Sequence, residues 1–230
     1  MRAFDWGRVL RAYMAAGAGR NLVAAVLVLL AAPAAADVRI LAFGDSLTQG
    51  YGLPEADGFV PRLQGWLAEN GAGDVTVVNG GVSGDTSAGG LARIAWSLGD
   101  DIDGVILELG ANDLLRGLEP GVTKANLDGI LGEIGARGLP VLVAGIPAPA
   151  NYPATYRQAY DAMFRDLAGA HGAIFYPSFL SGLGDGRSLR DVTRLLQPDG
   201  LHPNAEGVGA IVEHIGPVVL ELVAAVRERG

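Results

Sequence analysis

The sequence predicts an α/β domain, a parallel sheet with helices on both of its faces. Three observations carry this. Short apolar runs rich in Val, Ile and Leu recur along the chain, and stretches with helical periodicity separate them. No internal repeat interrupts the alternation. Half of the 230 residues are hydrophobic and only 18% are charged, enough for one domain with a sizeable core. Strand–helix alternation of this kind closes through right-handed crossovers, so the loops that follow strands gather on one sheet edge.

The first strand is Val38-Arg39-Ile40-Leu41-Ala42-Phe43, broken by Gly44-Asp45-Ser46. A loop with Pro54 and Gly58 leads to an amphipathic helix with Phe59, Leu63, Trp66 and Leu67 inward, and Asn70-Gly71 ends it. The second strand, Val75 to Asn79, is followed by the loop Gly80 to Thr86 and a helix carrying Leu91, Ile94, Ala95 and Leu98. The third strand, Val105 to Leu109, leads into Gly110-Ala111-Asn112-Asp113. A helix over 123–137 precedes the fourth strand, 141–144, and a helix over 156–170 precedes the fifth, 173–175. The last helix runs from about Asn204 to Arg229 on the stripe Val208, Ile211, Val212, Ile215, Val219, Leu222 and Val226. Pro217 is expected to kink or interrupt it, since proline removes a donor and crowds the preceding turn.

Residues 1–36 stand apart from this pattern. Arg2, Arg8, Arg11 and Arg20 precede the apolar run Leu22 to Ala32, and Ala34-Ala35-Ala36 offers small residues at a cleavage point. This is the anatomy of a secretory signal peptide, which leaves 37–230 as the mature domain. The alternative is an uncleaved anchor, against which the shortness of the apolar run argues. Without those residues, 13 basic and 24 acidic side chains remain, a net charge of −11. So acidic a surface excludes nucleic acid and an anionic membrane as electrostatic partners. With no cysteine there is neither lipidation nor a disulfide, and export into a periplasm or the medium is expected.

Ser46 sits in a strand-to-helix turn at the carboxyl edge of the sheet, where open α/β folds bind ligands. Taken alone, the turn fits equally a phosphate-binding or purely structural role. A serine nucleophile needs a base and a group that orients the base. Of the three histidines, His171 lies at a helix end and His214 in the last helix, positions that suit packing and capping. His202 differs, because it stands in the turn Asp199-Gly200-Leu201-His202-Pro203, where Asp199 can reach one ring nitrogen and leave the other free. Pro203 suits the first position of the following helix. Acyl transfer also needs donors for a developing oxyanion, and the Ser46 amide, the Gly84 amide and the Asn112 side chain follow three different strands. Asp45, Asp85 and Asp113 read as caps and loop holders.

These residues resemble the SGNH hydrolases, also called GDSL esterases and lipases. The resemblance is nearest to the bacterial periplasmic branch of thioesterases, lysophospholipases and arylesterases, and it spans nearly the whole mature chain. Four blocks carry it in order: Gly44-Asp45-Ser46-Leu47, then Gly81 to Ser87, then Gly110-Ala111-Asn112-Asp113, and Asp199 to Pro203. The resemblance implies a flavodoxin-like three-layer α/β/α sandwich of about five parallel strands. It makes Ser46 the nucleophile, Asp199 and His202 the rest of the triad, and Ser46, Gly84 and Asn112 the oxyanion hole. Ala150-Asn151-Tyr152 is similar to a loop that shapes the acyl pocket in this branch, so Asn151 and Tyr152 are expected at the substrate. Two departures stand out. Ala111 replaces a second glycine of some relatives, which bears on mobility there, and Pro147-Ala148-Pro149 stiffens the approach to the pocket loop.

The activity implied is hydrolysis of a small carboxylic ester or thioester, with a carbohydrate O-acetylesterase as the neighbouring alternative. Two other classes compete. A nucleotide- or flavin-binding module of similar topology would want a glycine-rich phosphate loop, and Gly50-Tyr51-Gly52 lacks the third glycine. A non-catalytic exported lipid- or glycan-binding protein would leave Ser46 inert. No cofactor is expected, and no metal, since two lone histidines outside the motif cannot assemble a site.

Overall fold

The computed structural model describes residues 37–184 and 189–229. The expected signal segment therefore lies outside the described residues. Five strands, β1 (Val38–Gly44), β2 (Val75–Gly81), β3 (Gly104–Glu108), β4 (Val141–Ala144) and β5 (Ile174–Tyr176), form one all-parallel sheet in the order β2-β1-β3-β4-β5. That is the flavodoxin-like doubly wound order, with its switch point between β1 and β3.

The helices are α1 (Ser46–Gln49), α2 (Phe59–Glu69), α3 (Ser87–Ser97), α4 (Ala111–Leu115), α5 (Pro120–Ala136), α6 (Ala154–His171), α7 (Leu189–Arg194) and α8 (Ala205–Arg227). The inner strands are largely apolar because both faces are covered, with Arg39 in β1 and Glu108 at the end of β3 as the exceptions. Ile40 and Ala42 of β1 pack with Leu63 and Leu67 of α2 and Ile215, Val219 and Leu222 of α8. Leu41 and Phe43 point the other way, towards Ile94 of α3, Ile130 of α5 and Phe164 of α6. This gives three layers, with α2 and α8 on one face and α3, α5 and α6 on the other.

The edge of β2 is covered by a side chain. The Gln64 amide donates to the Val75 carbonyl at 2.6 Å and accepts from the Val77 amide at 2.8 Å, which occupies backbone groups that would template another strand. Pro217 does not interrupt α8, which runs unbroken from Ala205 to Arg227. An interior proline costs about 3 kcal/mol. The buried Ile211, Ile215, Val219 and Leu222 on either side of it are each worth about 1.5–3 kcal/mol and hold the helix through it. By length and composition α8 could cross a membrane, but this apolar stripe is buried in the core. Pro203 is not the first helical residue. It precedes the cap Asn204, whose side chain accepts from the Gly207 amide at 3.0 Å.

Candidate active site

The parallel order brings the ends of β1, β2 and β3 to one edge, and the chain there is built around Ser46. β1 ends at Gly44, and Asp45 caps the single turn of α1 by accepting from the Leu47 amide at 3.0 Å. Ser46 opens that turn. Gly44 is needed for space: a Cβ there would meet the Thr48 hydroxyl and the carboxyl and carbonyl of Glu108 at 2.1–2.6 Å. Glu108 closes β3 directly beneath the turn, fully buried, and its Oε2 accepts from Thr48 Oγ1 at 2.7 Å and the Asp45 amide at 3.3 Å. Its other oxygen is buried with no hydrogen-bond partner among the described residues. Desolvation, followed by the charge of Asp45, pushes the Glu108 carboxyl well above its ordinary range. Asp45 is itself raised to about 6, mainly by burial.

The turn before α8 meets Ser46 from the opposite side. His202 Nε2 lies 2.8 Å from Ser46 Oγ, and His202 Nδ1 lies 2.7 Å from Asp199 Oδ2. Asp199 Oδ1 accepts from the Leu201 and His202 amides, and Gly200 takes a φ of +69° that favours glycine. The Leu201 amide first, and then the imidazole, hold the Asp199 carboxyl down to about 2. The turn is tied to the serine loop by Gln197, whose amide donates to the Tyr51 carbonyl at 2.8 Å and the Pro203 carbonyl at 2.9 Å. The Tyr51 ring leans on the His202 imidazole with centroids 4.8 Å apart.

Gly84 has a φ of +80° in the loop after β2, and Asn112 lies in α4 after β3. Among the described residues no hydrogen bond is donated by the Ser46 or Gly84 amides. Asn112 Nδ2 gives one hydrogen to Asp45 Oδ2 at 3.0 Å, which fixes the amide and leaves the second hydrogen available. Ser46, Gly84, Asn112 and His202 line one cavity of about 240 Å³, whose remaining walls include Leu114, Leu115, Ile146, Pro147, Leu180 and Leu201. An alcohol, a base with its orienting carboxylate, and amide donors thus share an apolar pocket, the set that acyl transfer requires.

Asn151 and Tyr152 are not among the residues lining that cavity. Asn151 is exposed, and the Tyr152 hydroxyl donates to the Leu114 carbonyl at 2.8 Å, one layer behind the wall. His171 ends α6 with Nε2 2.7 Å from Asp128, and His214 is exposed on α8. Asp113 holds its loop, accepting from the Ser87 amide at 2.8 Å and from the Ser87 and Thr123 hydroxyls. Asp85 pairs with Arg93 at 2.7 Å and caps no helix.

Sequence reasoning passed over Arg93, Thr48, Glu108, Tyr51 and Gln197. Arg93 donates to the Gly80 carbonyl at 2.8 Å and the Gly44 carbonyl at 2.9 Å, with its guanidinium 3.8 Å from the centroid of the Phe43 ring. It therefore ties the ends of β1 and β2 together beside Asp85. Glu108 did leave a signal, a carboxylate inside an otherwise apolar strand.

Comparison with known proteins gives the chain's relatives. Residues 42–210 match the GDSL-like Lipase/Acylhydrolase family. The chain is 37% identical over 198 residues to the Esterase TesA of Pseudomonas aeruginosa, covering 86% of this chain and 94% of that protein. It is 34% identical to the Thioesterase 1/protease 1/lysophospholipase L1 of Escherichia coli strain K12, covering 86% and 90%. The solved structure of AlinE4, an SGNH-hydrolase family esterase, is 39% identical with a TM-score of 0.66 and covers 80% of this chain and 96% of its own. The chain belongs to the GDSL-like lipase/acylhydrolase family, the SGNH hydrolases.

Proposed function

We propose that the protein is an exported serine hydrolase that cleaves carboxylic esters or thioesters through an acyl-enzyme on Ser46. The observation that carries the reading is the unbroken line from Ser46 Oγ to His202 Nε2 and from His202 Nδ1 to Asp199. His202 takes the hydroxyl proton as Ser46 Oγ attacks the acyl carbon. The negative charge forming on the carbonyl oxygen rests on the Ser46 and Gly84 amides and the Asn112 side chain. The carbon–oxygen or carbon–sulfur bond to the leaving group then breaks, and His202 returns its proton to the departing alcohol or thiol. Water activated by His202 next attacks the acyl-enzyme and frees the acid and Ser46.

The relatives named for esterase, thioesterase and lysophospholipase activity support this choice of substrate. The apolar walls at Leu114, Ile146 and Leu180 favour an acyl chain longer than acetyl over the O-acetylesterase alternative. Export rests on the basic and apolar pattern of residues 1–36, which a periplasmic or secreted enzyme would lose by cleavage.

An organophosphonate is expected to label Ser46 alone, and Ser46→Ala to abolish the labelling and lower ester turnover about a thousandfold or more. A Ser46→Ala variant hydrolysing a p-nitrophenyl ester at the parent rate would refute the assignment. A chain-length series of such esters, run beside an acetylated glycan, separates acyl hydrolysis from O-deacetylation.

A further inference from the structure

The oxyanion amide and much of the pocket wall ride on the segment from Gly110 to Leu118. Its helix α4 has only five residues, Ala111–Leu115, too few to hold their own shape in water. Asp113 anchors one side of it to Ser87 and Thr123. The other side is met by three phenol hydroxyls. Tyr160 donates to the Gly110 carbonyl at 2.7 Å, Tyr152 to the Leu114 carbonyl at 2.8 Å, and Tyr156 to the Leu118 carbonyl at 2.7 Å. The donors are four residues apart, and so are the acceptors. Tyr156 and Tyr160 stand one turn apart on α6, and Tyr152 continues their line just before the helix begins.

The rings also support one another. Tyr152 and Tyr156 stack with centroids 5.3 Å apart, and Tyr156 and Tyr160 with centroids 5.9 Å apart. Tyr160 is fully buried and passes close under Gly110, whose φ of +128° and lack of a Cβ admit the hydroxyl. Burial raises the Tyr156 and Tyr160 phenols above their ordinary value, so both keep the proton they donate.

We infer that Tyr152, Tyr156 and Tyr160 are positioning residues for the segment from Gly110 to Leu118, and that Tyr152 among them sets acyl-chain selectivity by fixing the Leu114 wall of the pocket from behind. This rests on the reading of that cavity as the acyl site. Tyr152 then acts on the substrate through a backbone carbonyl, without touching it. Losing the Tyr152 hydroxyl leaves the Leu114 carbonyl held by the Gly117 amide at 2.9 Å, a bond within its own short segment, so the wall can shift and change how deep a chain the pocket accepts. Losing the Tyr160 hydroxyl loosens Gly110 and with it the aim of Asn112, which bears on all acyl chains alike.

The test is a set of phenylalanine variants, which keep the rings and their stacking. Parent, Tyr152→Phe and Tyr160→Phe are assayed on p-nitrophenyl acetate, butyrate, octanoate and laurate, with kcat and KM separated. For Tyr152→Phe, the laurate-to-acetate ratio of kcat/KM is expected to change by about fivefold, the worth of one net hydrogen bond, mainly through KM. For Tyr160→Phe, kcat should fall by a similar factor across the whole series. A Tyr152→Phe profile parallel to the parent's would overturn the inference, including one lowered uniformly together with the melting temperature. Organophosphonate labelling of the parent separates the two levels. If Ser46 is not labelled, the hydrolase reading fails; if it is labelled and the profiles stay parallel, only the positioning role of Tyr152 fails.

Discussion

Asp199 and His202 hold one another within a single turn. The carboxylate of Asp199 accepts from the His202 ring at 2.7 Å through one oxygen and from the His202 amide at 3.0 Å through the other. The side chain and the backbone of His202 are thus oriented by the same group. With its carboxyl held down to about 2, Asp199 stays ionised at neutral and mildly acidic pH.

Asp199→Asn is expected to lower kcat by about a thousandfold or more, since an amide can present its NH₂ to Nδ1 and select the wrong imidazole tautomer. Organophosphonate labelling of Ser46 should slow in parallel. A loss of less than about tenfold would mean that the Asp199 amide contacts, and not its charge, are what matter.

Asn112→Ala should cost about a hundredfold or more in kcat with little change in KM, because its free hydrogen is used only as charge develops. Asn112→Asp should be at least as damaging. It replaces a donor by an acceptor and sets a second carboxylate against Asp45, whose Oδ2 now receives the amide at 3.0 Å. Steady-state kinetics on one aryl ester decide both.

The sheet was legible because its strands read as short, mostly apolar runs, and Ile40, Ile106 and Leu142 do face helices on a two-sided sheet. The candidate site residues stood out because structure breakers lie close to them: Gly44 two before Ser46, Gly84 itself, Gly110 two before Asn112, and Pro203 just after His202. The short helices α1, α4 and α7 were not, since four to six residues carry too little periodicity. Gly44 stands at the break after the first strand, and what requires it there is space rather than an unusual φ. A turn needing an unusual φ and a strand passing over a buried carboxyl both write glycine, and only contacts across β1 and β3 tell them apart. The role of Tyr152 was hidden for a similar reason: its partner is the Leu114 backbone, and a carbonyl has no letter in a sequence.

Arg93→Met should destabilise the domain by about 2–4 kcal/mol, because it takes a charged donor from the Gly44 and Gly80 carbonyls and leaves the largely buried Asp85 without its cation. Arg93→Lys should recover only part of this, since one ammonium cannot reproduce the three-way fork. Urea unfolding gives the energies. A drop in kcat for Arg93→Lys larger than the stability loss explains would tie the β1–β2 junction to the setting of Gly84.

Glu108→Gln separates the shape of the buried carboxyl from its proton. Folding raises the Glu108 carboxyl well above the usual 4.5, so between that value and its folded titration the native chain holds a proton that the unfolded chain releases. By linkage the parent then loses stability as pH rises through this window, and a glutamine, which has nothing to titrate, does not. Asp45, raised to about 6, adds a fall of the same sign between about 4 and 6 in both proteins, which largely cancels in the comparison. The melting temperature of Glu108→Gln minus that of the parent should therefore be smallest near pH 4.5 and grow as the pH rises above it. Ester hydrolysis should persist within a few-fold, because the glutamine carbonyl can still accept from Thr48 Oγ1 and the Asp45 amide. A difference that stays flat from pH 4.5 to 9 would mean that Glu108 ionises in the folded protein as readily as in the unfolded chain. The buried carboxyl beneath Ser46 would then carry a charge, and the platform under the nucleophile turn would have to be redrawn.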